Sequence, residues 1–317
     1  MDIKRVLTSP LDLAGTTLQY TVRPGMTIRG IAEDLAAADT LKRPHYLVWA
    51  ARVSGRSTQI QAGEYEIKPG TTPLAFLDLL VQGRVIRHAL TLLEGWTFNE
   101  VMAAIGAEPK LIHTLKGFDR REIMRKLEMP LDPEGLLFPD TYYFTAGTRD
   151  TEILHRAHQR MAKKLERAWL ERDPGLPYKT PYEALIMASL IEKETAVASE
   201  RPRIAGVLIR RLQSGMKLQI DPTVIYALGD RFDGNLRHPD LDLDSPYNTY
   251  RYLGLTPTPI AIPSEAAIHA ALHPAKDEAL YFVSKGDGTH HFSTTLEEHN
   301  SAVTRYQPKA ALPQPTR

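Results

Sequence analysis

The chain has 317 residues, 43% of them hydrophobic, which suits about two domains with real cores and excludes a wholly disordered protein. Lys plus Arg at 39 balances Asp plus Glu at 38, so no global field recruits nucleic acid or an anionic membrane. Cysteine is absent, which removes disulfides, thiolate chemistry and cysteine-ligated metals, and no run approaches the roughly 18 apolar residues of a membrane span.

The opening Met1-Asp2-Ile3-Lys4-Arg5 lacks the apolar stretch of a signal peptide. A repeat follows: Tyr20-x-Val22-x-Pro24-Gly25-x-Thr27 recurs as Tyr65-x-Ile67-x-Pro69-Gly70-x-Thr72. Each copy predicts a strand, a Pro-Gly turn and a helix capped by its Thr, with Ile28, Ile31 and Leu35, or Leu74, Leu77 and Leu80, on the buried face. Leu90-x-Leu92-x-Glu94-Gly95-x-Thr97, followed by Phe98, Val101 and Ile105, is a weaker third copy. Pro44 to Val53 reads as a helix between the first two, and Gly83 closes the second repeat's helix.

Helical patterns resume over Ile123 to Leu127 and from Thr151 to Arg172. Thr180-Pro181-Tyr182-Glu183 announces a further helix by combining a capping Thr, Pro at the first helical position and Glu three residues after the cap. Ser199 and Glu200 open the next, which Gly215 stops. Tyr281 to Ser284 and Thr289 to Ser293 read as a hairpin across Gly286-Asp287-Gly288, and Thr294-x-x-Glu297 is a capping box for a last helix. These elements predict an α+β protein with a small domain over about residues 15–86, a larger one over about 87–307 and a loose tail over 308–317.

Common catalytic motifs are missing: no G-x-G-x-x-G, phosphate loop, G-x-S-x-G or H-E-x-x-H occurs. Asp240-x-Asp242-x-Asp244 imitates a calcium loop, but Ser245 stands where Gly is needed and Arg251 where the bidentate Glu should be. His290, His291 and His299 read as structural or substrate-contacting groups, since adjacent strand histidines point to opposite faces. No metal or cofactor is expected.

The segment Ala184 to Thr195 is apolar around almost the whole helical circumference until Glu192 and Glu194, so it predicts a buried helix with carboxylates at its end. The two differ by about 200° around the axis and face different surroundings. Glu192 shares a stripe with Leu185 and Ala188, a desolvating environment of the kind a general acid at neutral pH requires; Glu194 reads as its structural neighbour. The competing reading has both carboxylates solvated and ion-paired at a frayed helix end.

Downstream, Gln219-x-Asp221-Pro222-Thr223-x-x-Tyr226 and Ser245-Pro246-Tyr247-Asn248-Thr249-Tyr250 gather amides, hydroxyls and aromatic faces that suit a neutral, hydroxyl-rich ligand such as a glycan. Asp221 can equally serve as a helix cap. Leu255 to Pro263 reads as a rigid extended wall, and Glu134-Gly135-Leu136-Leu137-Phe138-Pro139-Asp140 offers a second carboxylate, Glu134 or Asp140, on a turn-rich segment.

Glu134-Gly135-x-x-Phe138-Pro139-Asp140-Thr141-Tyr142, Ala188-Ser189-x-Ile191-Glu192-Lys193-Glu194-Thr195, Gln219-x-Asp221-Pro222-Thr223-Val224-x-Tyr226 and Ser245-Pro246-Tyr247-Asn248-Thr249-Tyr250 resemble, in this order, the YceG-like family of endolytic murein transglycosylases. Gly254-Leu255-x-Pro257-x-Pro259-Ile260 and His291-Phe292-Ser293-x-Thr295-x-x-Glu298-His299-Asn300 extend the likeness over about residues 20–306. The first repeat is also similar to a LysM glycan-binding module, with Met26 where that module usually has Asp.

The resemblance implies cleavage within nascent peptidoglycan strands, with the Glu at position 192 as the single acid/base, 1,6-anhydro ends as products and no water consumed. Gln219, Asp221, Thr223, Tyr226, Asn248, Thr249 and Tyr250 are the expected glycan contacts or groups that orient the acid. A lysozyme-like hydrolase, using Asp221, Glu194 or Glu134 as second carboxylate, and a non-catalytic peptidoglycan-binding scaffold remain alternatives. The resemblance further implies a single N-terminal membrane anchor, which the sequence given does not include, a soluble ectodomain on the periplasmic face of the inner membrane, and association with peptidoglycan synthases.

Overall fold

The computed structural model describes residues 3–129 and 132–307, and its helices and small antiparallel sheets give the expected α+β class. The expected tail, 308–317, lies outside the described residues. The chain divides into two compact units. One runs to Leu90 and adds Glu108–Thr114 and Tyr142–Asp150; the other takes Thr91–Ala107, Leu115–Thr141 and the chain from Thr151 onward. The division expected near residue 86 precedes the first crossing, and the two short returns to the first unit coincide with no change of composition.

In the first unit, α1 (Ile3–Thr8), β1 (Leu18–Val22), α2 (Ile28–Ala37), α3 (Pro44–Val53), β2 (Gly63–Ile67) and α4 (Pro73–Gln82) follow in chain order. The two sequence repeats supply the two strands of one sheet, antiparallel, with Tyr20 opposite Tyr65 and Leu18 opposite Ile67. Their threonines cap as the spacing requires: the Gly30 amide donates to Thr27 Oγ1 at 3.3 Å and the Ala75 amide to Thr72 Oγ1 at 3.2 Å. Ile28, Ile31, Leu35, Leu47, Tyr65, Ile67, Leu77 and Leu80 are buried in a single core. Phe76 joins them where Leu74 was expected, because Leu74 stays half-buried. Each such side chain withdrawn from water contributes about 2 kcal/mol.

Strand β3 (His88–Thr91) pairs with β4 (Thr141–Phe144). The remaining elements are α5 (Phe98–Ala107), α6 (Arg120–Lys126), α7 (Asp150–Leu170), α8 (Pro181–Glu194), α9 (Arg201–Gln213), α10 (Asp221–Leu228), α11 (Glu265–Leu272), β5 (Tyr281–Ser284), β6 (His290–Ser293) and α12 (Leu296–Tyr306). The third, weaker repeat does yield a helix, α5, with Phe98, Val101 and Ile105 buried.

The second unit is organised around α8. Thr180 Oγ1 accepts from the Glu183 amide at 3.3 Å, and every residue from Ala184 to Ile191 is buried. Helices α9, α10 and α11 pack on it. The proline-rich wall covers what remains: the Ile260 amide donates to the buried Ser189 hydroxyl at 3.1 Å, and Ile262 exchanges backbone hydrogen bonds with Gly95 and Trp96 at 2.9 and 2.8 Å.

One start differs from expectation, and another falls where expected but without a side-chain cap. Strand pairing persists through Ser293, so Thr294 is spent leaving the sheet, and the capping box closes one residue later, between Thr295 and Glu298. Glu200 precedes α9 but makes no capping bond, because its carboxylate accepts from the His290 amide at 2.9 Å and pairs with His290 Nδ1 at 2.8 Å.

Gly135 adopts φ +73°, and a Cβ there would lie 2.3 Å from Pro259 Cβ and 3.2 Å from the Ala261 carbonyl oxygen. Left-handed backbone and contact with the wall both demand glycine. Gly135→Ala is expected to destabilise the protein by roughly 2–4 kcal/mol in a denaturant titration. A loss below about 0.5 kcal/mol would mean the wall is free to move.

Candidate active site

Burial of α8 carries its last turn, and with it both carboxylates, to the edge of the packed interior. Their fates there diverge. Glu192 Oε2 accepts from the Ser264 amide at 2.9 Å and from the Ser264 hydroxyl at 2.5 Å, while Arg201 Nη2 stands 3.5 Å from Oε1. Ser264 is also the N-cap of α11, its Oγ accepting from the Ala267 amide at 3.1 Å. Glu192 thus ties the end of α8 to the start of α11, at the positive end of that helix, with its side chain only 7% exposed.

Glu194 has no such donors. The residue is half-buried, yet its Oε2 is sealed from solvent and bonded to nothing. Burial pushes this carboxyl up to about 8; the negative charge of Asp221 adds to the rise and the Arg211 guanidinium opposes it. A carboxyl raised in this way favours its protonated form near neutral pH.

Around Glu194 the polar residues of the two downstream motifs separate into two groups. Thr223, Asn248 and Thr249 are fully buried and turned into the protein. Thr223 and Thr249 hydroxyls share a hydrogen bond of 2.9 Å, the Ile220 amide donates to Thr249 Oγ1 at 2.9 Å, and Asn248 Nδ2 donates to the carbonyls of Leu241 and Leu243. These three hold the loop over residues 245–252 against the start of α10.

Gln219, Asp221 and Tyr250 form the second group. Asp221 is exposed at the first position of α10, where it caps nothing, and accepts a short hydrogen bond from the Tyr250 hydroxyl. Burial, then that bond and the charges of Asp221 and Glu194, push the Tyr250 phenol well above its ordinary range. Gln219 sits at φ +55°, a left-handed conformation that costs a non-glycine residue about 1 kcal/mol or more. Strain of this kind gathers at functional sites because the surroundings over-determine it.

Tyr226 belongs elsewhere. Its hydroxyl donates to Glu134 Oε2 at 2.9 Å, and its ring lies 5.0 Å from that of Tyr247. Glu134 is completely buried, accepting also from the Phe98 amide at 2.8 Å and Arg120 Nη2 at 3.1 Å. Desolvation raises its carboxyl despite these donors. With both oxygens engaged inside the protein, Glu134 is a packing and positioning group.

Among the described residues no group of three or more His, Cys, Asp and Glu could hold a metal. His290 pairs with Glu200, His291 lies 5.6 Å from Tyr306, and His299 stacks on Tyr281 at 5.2 Å.

Sequence reasoning passed over Ser264, Arg201 and Arg211. Pro263-Ser264-Glu265 carries a legible helix-start signal, and Arg211 continues the stripe of Ile204 and Leu208 at helical spacing. Neither pattern reveals which carboxylate the side chain will face.

Comparison with known proteins matches the YceG-like family over residues 20–305. The chain is 32% identical to the endolytic murein transglycosylase of Bacillus subtilis, over 92% of this chain and 85% of that protein. It is 27% identical to the endolytic murein transglycosylase of Streptococcus pneumoniae strain D39, over 95% of this chain but 61% of the longer relative. The fold matches the crystal structure of a yceG-like protein from Listeria monocytogenes with TM-score 0.58 and 28% identity, covering 91% of this chain and 99% of that one.

Folded Glu194 holds its proton to about pH 8, whereas the unfolded residue releases it near 4.5, so the wild type loses stability as pH rises through that window. Glu194→Gln, which has no proton to lose, is expected to gain in melting temperature relative to wild type between pH 5 and pH 8. A difference that stays flat across that range would mean that Glu194 titrates as an ordinary carboxyl.

Proposed function

Because the chain belongs to the YceG-like family, we propose that it is an endolytic murein transglycosylase whose proton donor is Glu194. The observation that carries the assignment is the Glu194 side chain at the end of α8, whose Oε2 is sealed from solvent without a hydrogen-bond partner and whose carboxyl burial pushes up to about 8. Glu192, the other carboxylate of the same turn, has its oxygens committed to Ser264 and Arg201 and serves to anchor that turn.

In this reading a peptidoglycan glycan strand lies with the bond between N-acetylmuramic acid and N-acetylglucosamine at Glu194. The carboxyl gives its proton to the leaving glycosidic oxygen as the bond from C1 breaks. The muramic residue's own C6 hydroxyl then attacks C1 and returns its proton to the carboxylate. One carbon–oxygen bond is exchanged for another, the product ends in a 1,6-anhydro ring, and no water is consumed. An intramolecular nucleophile is already positioned, so a single carboxyl can serve where hydrolysis generally needs two.

Hydrolysis would require a second carboxylate to activate water. Asp221, whose charge reaches Glu194, already accepts from Tyr250, and both oxygens of Glu134 are engaged. Gln219, Asp221 and Tyr250 are the proposed glycan-facing groups; Thr223, Asn248 and Thr249 act by holding the loop that carries Tyr250. Tyr226 acts with Glu134 and Arg120 in fixing the neighbouring wall. The same reading makes the first unit a LysM-like glycan-binding module and places the enzyme on the periplasmic face of the inner membrane, single-pass anchored, beside peptidoglycan synthases. No described helix is long and apolar enough to cross a membrane.

Mass spectrometry of purified peptidoglycan digested by wild type, Glu194→Gln and Glu192→Gln tests the assignment. Anhydro-ended fragments are expected from the wild type and should fall by about 10²–10⁴-fold in Glu194→Gln. Glu192→Gln can still accept from Ser264 and should lose less than about tenfold. The reverse order would give the acid's role to Glu192. Reducing ends would mean hydrolysis, and glycan binding without cleavage by the wild type would mean a scaffold.

A further inference from the structure

Arg211 is a cation in an unusual place. It projects from α9 and is 6% exposed, yet no carboxylate lies within ion-pair distance of it among the described residues. Its fork is instead spread over neutral acceptors: Nε donates to the Leu280 carbonyl at 2.7 Å, and Nη1 to those of Leu218 at 2.8 Å and Lys217 at 3.4 Å, with Gln219 Oε1 at 3.5 Å. The Tyr281 ring stands 5.2 Å away. A buried cation without a counter-ion is costly, so its retention calls for a negative charge that it can serve.

Among the described residues, Glu194 is the carboxyl whose charge acts on Arg211. Glu194 lies within the reach of the Arg211 field, and its sealed Oε2 has no hydrogen-bond donor to stabilise an anion. Resting on the assignment of Glu194 as proton donor, we propose that Arg211 is a positioning residue that acts as the fixed counter-charge of the Glu194 carboxylate. It stabilises that carboxylate in the interval between protonation of the leaving oxygen and recovery of a proton from the C6 hydroxyl.

Its burial and its carbonyl partners keep it away from the glycan, so it is no anion-binding subsite. Those bonds also hold residues 217–219, the segment leading to Asp221, so one side chain sets both the charge opposing Asp221 and the position of Asp221 itself. The ionisable groups in this field come from several elements: Asp221 on α10 acts on Glu194, Glu194 acts on Tyr250 of the loop, and Tyr250, Tyr281 on β5 and His299 on α12 interact with Arg211. Burial, and then the charge of Arg211, keep His299 low, so it adds no second cation near neutral pH.

The test is the pH dependence of kcat for peptidoglycan cleavage by the full chain, comparing wild type with Arg211→Gln, Arg211→Met and Arg211→Lys. The Met variant keeps an aliphatic stem against Tyr281 in case the Gln variant does not fold. With the opposing charge gone, Glu194 should hold its proton more tightly, so the alkaline limb should move up by about one unit. The plateau of kcat should fall about 10–100-fold with KM little changed, and Lys should bring the limb back to within about half a unit of wild type. A purely structural role would lower stability and leave the limb in place. An unmoved limb in a folded neutral variant, or a failure of Lys to restore it, overturns the proposal. Glu194→Gln run alongside separates the two layers: wild-type turnover in that variant would sink the assignment of Glu194, whereas loss of turnover with an unmoved Arg211 limb sinks only the counter-charge.

Discussion

Withdrawing a carboxyl from water without supplying it a donor is the constraint on which the candidate site depends. Every residue of α8 from Ala184 to Ile191 is inside the protein, so the helix has one admissible seat and its last turn is delivered to a fixed position. Two acidic residues at that turn would ordinarily be solvated. Here one is satisfied by Ser264 and Arg201, and the other keeps a sealed oxygen with no partner. The first contributes attachment between helices; the second retains a proton at a pH where free glutamate has lost it.

What surrounds Glu194 makes its destabilised state durable. The Thr223–Thr249 hydrogen bond, the amides of Asn248 and the backbone bond from Gln219 to Thr249 at 3.1 Å lock the loop to the start of α10. That lock keeps Gln219 in a left-handed conformation and Asp221 under the Tyr250 hydroxyl. Asp221 and Arg211 then bias the same carboxyl in opposite directions. Such an arrangement favours neither protonation state overwhelmingly, which suits a group that must both give and take a proton.

Much of the fold was legible because it rests on local rules. Pro-Gly turns and capping threonines marked both repeats of the first unit, and the absence of a polar face marked α8 as buried. The pairing of one repeat's strand with the other's was not legible, since alternation gives the face of a strand and never its partner. At the site, helical angle correctly separated Glu192 from Glu194 but could not rank them. Apolar neighbours on the same helix suggested that Glu192 was the desolvated acid. The deciding groups arrive from far along the chain, Ser264 from 72 residues beyond Glu192, and Asp221 and Arg211 from 27 and 17 residues beyond Glu194, and no pattern within the helix encodes them. The inward turn of Thr223, Asn248 and Thr249 was hidden for the same reason, because polar residues read alike whether they meet a ligand or their own backbone.

The proposed chemistry needs little beyond this one carboxyl, a strand of glycan and a nucleophile that the substrate carries itself. The most direct measurement is therefore a titration of Glu194 in the intact protein by carboxyl carbon-13 NMR, assigned by loss of its resonance in Glu194→Gln. A midpoint of about 8 is the result that a desolvated proton donor requires. A midpoint near 4.5, the ordinary value for glutamate, would show the carboxyl to be hydrated and ionised, and would remove Glu194 from the role of acid.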